Sequence, residues 1–278
     1  MTKYDPEIER CEICGSYNIY QFHKSDNGNK IYKCDNCKIQ FMNPQYTDWH
    51  LSNYYSTYIR DESNIEEQLI QSHSYCLSLI EKCLPTKGKL LDLGSGNGYL
   101  IKLAKGRGWN PTGHEIDCNI ASVLRKKTGI NILCGEIFNL KIEEEFDAVS
   151  MLHVLEHLKR PEKYLKKISD VLKKNGILFI TLPNIQSRSS LFKLFLEKVK
   201  LKTKNVAAYY DTDHHLWYYS PFTIRYFLEK QGFQIIRMYS GDNINLSRSK
   251  LVNLIDEKIF SKIFWHSSMG VIARKLKV

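Results

Sequence analysis

An α/β fold is what this 278-residue sequence predicts: a mostly parallel sheet with helices on both faces, and a small cysteine-bearing module in front. Three observations carry the prediction. From Lys89 onward, short apolar runs alternate with amphipathic ones, the order of a parallel sheet covered on both sides. A glycine-rich loop, Asp92-Leu93-Gly94-Ser95-Gly96-Asn97-Gly98, separates the first apolar run from the first amphipathic one. Two C-x-x-C pairs, Cys11/Cys14 and Cys34/Cys37, precede all of it.

The front module spans residues 1–45. Its cysteines are spaced C-x2-C-x19-C-x2-C, within the range of a four-cysteine zinc site. Four thiolates suit tetrahedral Zn²⁺, and each short knuckle supplies two of them. Between the knuckles, Ile19–His23 and Lys30–Lys33 alternate like strands, with a hairpin turn at Asp26-Asn27-Gly28-Asn29. So short a segment has little core of its own, so metal would supply the missing stability. A fully sulfur-ligated ion has no open position, which makes the predicted zinc structural. His23 reads as a strand residue.

Residues 46–84 read as a helical linker or lid. Tyr46, Trp49, Tyr54, Tyr55 and Tyr58 form an aromatic patch, and Leu69, Ile70, His73, Leu77 and Ile80 recur at helical spacing over Ile65–Cys83. Pro85 and Gly88 end that helix. The main domain, 85–278, then begins. Its first strand is Lys89–Leu93, followed by the glycine loop and a helix from Tyr99. Strand two lies at Asn110–Glu115, a helix at Asn119–Lys127, and strand three at Ile130–Cys134. Strand four is Phe146–Met151. A helix over Pro161–Lys174 has proline at its start, a Glu162–Lys166 pair and lysines at its end. Gly176 stops it before strand five, Ile177–Leu182. Residues 185–215 form an insertion with a helical pattern through Leu191, Leu194, Phe195 and Val199. Ser220-Pro221 caps a helix that stops at Gly232. Strand six is Phe233–Tyr239. An amphipathic helix within 241–267 presents Leu251, Leu254, Ile255, Ile259 and Phe260, whose plainest use is packing on the sheet. Met269–Lys275 reads as a last, antiparallel strand.

Composition narrows the class. The chain is 43% hydrophobic and 25% charged, with a net charge of +10. That excess fits a polyanionic partner, but Lys, Asn and Ile are all abundant here, so it reads first as composition. Residues 1–45 carry acids and bases in similar numbers. No apolar run reaches the roughly 18–20 residues a bilayer span needs, and the N-terminus lacks a signal-peptide core. The eight cysteines are not spread like a disulfide framework; Cys76, Cys83, Cys118 and Cys134 fall in helices or strands. That is the pattern expected of a cytoplasmic protein.

A glycine loop opening a helix lets a ligand approach the backbone and offers free N–H groups to a negative charge. The dinucleotide fingerprint needs glycine where Tyr99 stands, and the phosphate-binding G-x-x-x-x-G-K-[ST] loop is absent. What stands here is Asp92, G-x-G-x-G, and a carboxylate, Glu115, closing the second strand. This pattern resembles the S-adenosylmethionine (SAM) loop of the class I methyltransferases. The resemblance implies a Rossmann-like, seven-stranded, mostly parallel sheet. It also implies that the loop (Asp92, Gly94, Ser95, Gly96, Gly98) cradles the methionine end of SAM, that Glu115, beside Ile116, holds the ribose, and that the turn bearing Glu136 lies by the adenine.

Ser150-Met151-Leu152-His153-Val154-Leu155-Glu156-His157-Leu158 is similar to the strand-four signature of small-molecule members of that family. Open α/β sheets bind ligands at the carboxyl ends of their strands, which puts Met151, Leu152 and His153 beside the loop. His215-Leu216-Trp217-Tyr218-Tyr219-Ser220 resembles the H-L-x-x-[YF]-S segment that such enzymes place over the methyl acceptor. His153 and His215 are therefore the candidate bases, and each equally fits a substrate-binding role. His157 reads as a histidine that holds its loop. His214 and His215 are adjacent, and two adjacent side chains seldom converge on one ion. A front C-x-x-C module with this signature points to a small-molecule acceptor, a sugar or sugar nucleotide of surface polysaccharide. RNA methylation, with the module and lysines gripping phosphates, and SAM binding without turnover are the alternatives; no N-P-P-Y-type motif follows strand four.

Overall fold

The computed structural model describes residues 2–25, 27–57, 65–198, 210–241 and 266–276. The front module folds as β1 (Ile19–Lys24), β2 (Lys30–Cys34) and β3 (Gln40–Met42). β1 and β2 pair antiparallel, as the alternation predicts, although Asp26 of the turn lies outside the described residues. The two cysteine knuckles are near copies of each other. In each, the residue after the second cysteine is left-handed (Gly15, φ 78°; Lys38, φ 63°), and its N–H donates to the carbonyl of the first, at 2.7 and 3.0 Å. Helix α1 (Asp48–Thr57) carries the aromatic patch, except Tyr46, which precedes it, and Tyr58, which lies outside the described residues. Helix α2 (Glu66–Glu81) follows.

The main domain then alternates as expected: β4 (Lys89–Leu93), α3 (Tyr99–Gly106), β5 (Asn110–Glu115), α4 (Cys118–Thr128), β6 (Asn131–Cys134), β7 (Phe146–Leu152), α5 (Pro161–Val171), β8 (Leu172–Pro183), α6 (Arg188–Lys198), β9 (Trp217–Tyr218), α7 (Pro221–Lys230), β10 (Phe233–Ser240) and β11 (Ser268–Lys275). Seven strands form one sheet in the order β10-β11-β8-β7-β4-β5-β6, with β11 antiparallel to both its neighbours and the remaining pairs parallel. The sequence runs outward from β4 through β5 to β6, then returns to β7 on the other side of β4. That reversal opens a crevice between β4 and β7, the place where such sheets bind ligands.

Alternation along β4 sets the two faces. Leu90 packs with α2 and α3 on one side; Leu91 and Leu93 face the core on the other side, where α5, α7 and the cysteine module sit. Each is at most 1% exposed, and burying a leucine stabilises by roughly 1.5–3 kcal/mol. α4 is capped by Asp117, whose carboxylate accepts from the N–H groups of Asn119 and Ile120.

Three expectations change. α5 stops at Val171, not at Lys174, because Leu172 turns extended and pairs with Phe146; β8 therefore starts five residues before Ile177, with Asn175 left-handed at its bend. Cys118 and Cys134, read as separate thiols, form a disulfide between the start of α4 and the end of β6. The front module is tied to the main domain: β9 pairs with β3 (Phe41 opposite Trp217, Gln40 opposite Tyr218), completing a four-stranded sheet. The lysine-rich part of the insertion beyond residue 198 and the amphipathic helix placed within 241–267 lie outside the described residues, apart from those at 241 and 266–267.

Candidate active site

The loop after β4 is held from both sides. The N–H groups of Gly94 and Ser95 both donate to the carbonyl of His114, at 2.9 and 3.0 Å, and Gly98 N–H donates to Ser95 at 2.8 Å. Ser95 Oγ donates to the carbonyl of Asp92 (2.9 Å) and accepts from His114 N–H (3.2 Å). All three glycines have positive φ, but two have different neighbours. A Cβ on Gly94 would stand 2.6 Å from Val154 Cγ2, so the loop lies directly against the turn after β7. A Cβ on Gly96 would meet nothing within 4 Å among the described residues; this is the open side, where a ligand can reach the backbone.

Two carboxylates flank that opening. Asp92, 3% exposed, accepts from Ser150 Oγ at 2.7 Å across the β4–β7 pair. Burial pushes its carboxyl up to about 7, against the pull of the Ser150 hydroxyl, and the nearby Glu115 adds to the rise. Glu115 at the end of β5 accepts from Gly96 N–H. Burial raises it as well, although Gly96 pulls the other way. Ile116 beside it is 49% exposed. The turn after β6 is pinned by His114 Nε2 to the carbonyl of Gly135 (2.7 Å), and burial keeps His114 below the usual histidine range. In this turn Glu136 accepts from the Tyr164 hydroxyl, while Ile137 is buried behind it. Asp92, Gly96 and Glu115 thus come together at the glycine loop, with Glu136 engaged by α5.

The other wall begins where β7 ends. Met151 is buried and Leu152 half-buried. His153 is left-handed, φ 54°, a strained conformation for a non-glycine residue of the kind that clusters at functional sites. Its N–H donates to the Thr181 carbonyl at 2.9 Å, and its Nδ1 lies 3.3 Å from Glu156 Oε1. Glu156, 1% exposed, sits in a tight helical turn over Leu155–His157. Although burial works against ionisation, its imidazole neighbours hold its carboxyl down at about 2, with His153, His157 and His215 contributing. His153 and His215 therefore address the same carboxylate.

Sequence reasoning missed who else is there. His157 and His214 stack at 4.8 Å between ring centroids, and His215 lies 4.8 Å from His157. Burial drives His157 down to about 4, and it also lowers His214. From α1, Tyr54 stacks on His214 and Tyr55 meets His157 edge-on. The aromatic patch at 46–58 was the available signal, but nothing in it indicates which histidine it covers.

The front cysteines converge as predicted. All four sulfurs, from Cys11, Cys14, Cys34 and Cys37, lie within 4.8 Å of one another, with Cys11–Cys37 at 3.6 Å and Cys14–Cys34 at 3.5 Å. A tetrahedron of 2.3 Å Zn–S bonds has sulfur separations of about 3.8 Å, so the donor set fits that ion. The cluster is coupled to the site through a short backbone route. Met42 N–H donates to the Leu216 carbonyl (2.9 Å), and Leu216 N–H donates to the Glu156 carbonyl (2.8 Å). Trp217 Nε1 adds a bond to the Leu158 carbonyl at 2.8 Å.

Comparison with known proteins agrees with this geometry. The ubiquinone biosynthesis O-methyltransferase of Coxiella burnetii is 28% identical over 125 residues, 42% of this chain and 53% of that protein. The match therefore spans about half the length of that relative. An uncharacterized protein of Methanocaldococcus jannaschii is 25% identical over 227 residues, 72% of this chain and 80% of its own. A crystal structure of an S-adenosylmethionine-dependent methyltransferase from Clostridium acetobutylicum superposes with a TM-score of 0.54 at 14% identity, covering 81% of this chain and 99% of that one, and so shares its fold. Residues 64–238, well over half of the sequence, match the family model described as "Methyltransferase domain" and contain the whole glycine-loop crevice, so this chain belongs to the methyltransferase-domain family.

Proposed function

We propose that this chain is an S-adenosylmethionine-dependent methyltransferase acting on an oxygen of a small molecule, a sugar or sugar nucleotide of surface polysaccharide. One observation carries the cofactor reading: Gly96 faces open space while the Glu115 carboxylate reaches its N–H, so a ribose-binding acid and an unobstructed backbone share one opening. Asp92 and Glu115 would hold the cofactor's ammonium and ribose ends, with Ile116 beside the base. When bound, SAM supplies an electrophilic methyl group and departs as a neutral thioether, so no new anion has to be stabilised there.

What remains for the protein is alignment, exclusion of water and management of one proton. His153 is the candidate base. Its Nδ1 faces Glu156, which orients the ring, and Nε2 is the nitrogen proposed to take a proton from an acceptor hydroxyl. His215, His214 and Tyr54 form the facing wall, aromatic surfaces with polar edges that suit a sugar ring. The likeness to the Coxiella O-methyltransferase supports oxygen as the acceptor atom. Zn²⁺ on Cys11, Cys14, Cys34 and Cys37 is the proposed structural metal; it would hold β3 and, through Leu216, the histidine segment.

The test is calorimetry with S-adenosylhomocysteine. Wild-type protein is expected to bind, and Glu115→Ala to lose about tenfold to a hundredfold in affinity, the worth of one hydrogen bond to a charged group. Equal affinity of the two proteins would overturn the cofactor reading. Labelled methyl transfer to nucleotide sugars and to RNA then separates the acceptor classes, and absence of turnover on every acceptor would favour a binding protein.

A further inference from the structure

Within the proposed acceptor wall lies a cluster whose full histidine set is not used in the proposed methyl transfer. His157 comes from the turn after β7, and His214 and His215 come from the segment before β9. Each offers one ring nitrogen, and the three nitrogens lie within 4.8 Å of one another. Around a tetrahedral ion at 2.0–2.1 Å, nitrogens stand about 3.3 Å apart, so closing the triangle takes at most about 1.5 Å.

Two further observations point to a ligand. Two of the rings are already braced through one nitrogen: His157 Nδ1 is 3.3 Å from the His214 carbonyl, and His214 Nδ1 is 3.1 Å from the Tyr54 hydroxyl and 3.8 Å from Asp211 Oδ1. Metal-bound histidines are oriented in the same way, by a carbonyl, hydroxyl or carboxylate on the far nitrogen. Behind them, Glu156 is 1% exposed, and among the described residues neither of its carboxylate oxygens makes a well-formed hydrogen bond. Its Oε1 lies 3.9 Å from His157 Nε2 and 3.3 Å from His153 Nδ1. A buried carboxylate requires a cation close by.

We propose that His157, His214 and His215 bind a divalent transition-metal ion of the zinc class, with the Glu156 carboxylate as its counter-charge. This site is distinct from the four-cysteine cluster in its protein ligands, which are ring nitrogens with no sulfur among them. Three protein ligands leave a position open. An acceptor hydroxyl enters that position through its oxygen, its proton passes to His153 or to water, and the alkoxide keeps the electron pair that attacks the methyl group; the ion's valence does not change. That use of the ion rests on the methyltransferase reading, whereas its binding does not.

The test uses the full-length chain loaded with Zn²⁺ or with Co²⁺. Elemental analysis is expected to give two ions per wild-type chain. The cobalt spectrum should show one thiolate site, with intense near-ultraviolet charge transfer, and one site with weak visible bands alone. The double variant His214→Ala/His215→Ala, and separately His157→Gln, should each lose the second ion and keep the thiolate bands. Their S-adenosylhomocysteine affinity should stay within about twofold of wild type, since none of the three histidines belongs to the glycine loop or to the Asp92 and Glu115 pair proposed to hold that nucleoside. A wild-type chain that takes up one ion, with thiolate bands only, overturns the proposal, as does a second ion that persists in both variants. Should neither variant fold, the wild-type spectrum decides alone. Failure here with nucleoside binding intact leaves the methyltransferase reading standing; loss of nucleoside binding with two ions bound does the reverse.

Discussion

Asp92 links the cofactor crevice to pH. Burial raises its carboxyl from 3.8 to about 7, so between those values the folded chain holds a proton that the unfolded chain has released. Its contribution is fully present below about pH 4 and is lost as pH rises through 7. Asp92→Asn keeps the neutral shape. It is expected to flatten the pH dependence of urea unfolding between pH 5 and 8 and to exceed wild type at pH 8 by up to about 4 kcal/mol, each pKa unit being worth 1.36 kcal/mol. Parallel profiles for the two proteins would show that Asp92 is not the group responsible. Asp92 and the G-x-G-x-G run were readable in the sequence because their geometry is local: a strand end, three positive φ values and a helix start occupy adjacent positions. Glu156 shows the opposite case. Of its imidazole neighbours, His153 and His157 are local in sequence, but His215 comes from nearly sixty positions away, and no local pattern could have paired His157 with His214.

Among the elements, the two-residue strand β9 has the largest consequence for function. It seals the cysteine module onto the main domain, with Phe41 and Trp217 5.4 Å apart and Lys230 of α7 donating to the Ile13 carbonyl at 2.7 Å. The segment bearing His214 and His215 is thus seated on one side by β3 and on the other by the Glu156 turn. Cys34→Ser, which removes one thiolate, is expected to leave S-adenosylhomocysteine affinity nearly unchanged and to cut turnover by about a hundredfold, the scale of a misplaced acceptor wall. Turnover equal to wild type would make the module an appendage. Long elements such as α4, α7 and β5 were legible from periodicity, caps and flanking glycines. β9 was not, since a pair of residues has no period; Trp217 and Tyr218 become a strand only because Phe41 and Gln40 offer them an edge. The early end of α5 has the same origin: helix propensity in Leu172-Lys173-Lys174 yields to the pairing of Leu172 with Phe146.

On the scale of the whole molecule, the net charge of +10 is the feature most open to a second interpretation. An RNA substrate needs a stripe of cations facing one way. Among the described residues, many of the bases are instead answered by acids: Lys30 by Glu7, Lys38 by Asp35, Lys89 by Glu144, Lys159 by Asp5 and Asp48, Lys173 by Asp147, and Arg107 by Glu81. Among the described residues, the side chains that meet on the proposed acceptor side are histidines, tyrosines and one buried carboxylate. No helix among the described residues is long and apolar enough to cross a membrane. A protein that neutralises six to ten phosphates loses about 10³–10⁵ in affinity between 50 and 200 mM salt, because each contact releases a counterion. A pocket that recognises a sugar by stacking and hydrogen bonds has few such ions to release. The apparent affinity for the acceptor, measured as KM across the same salt range, is therefore expected to change by less than about tenfold, the equivalent of one or two screened contacts. A steep linear fall of log affinity with log salt would instead assign the lysine excess to a polyanion and move the acceptor from a small molecule to a nucleic acid.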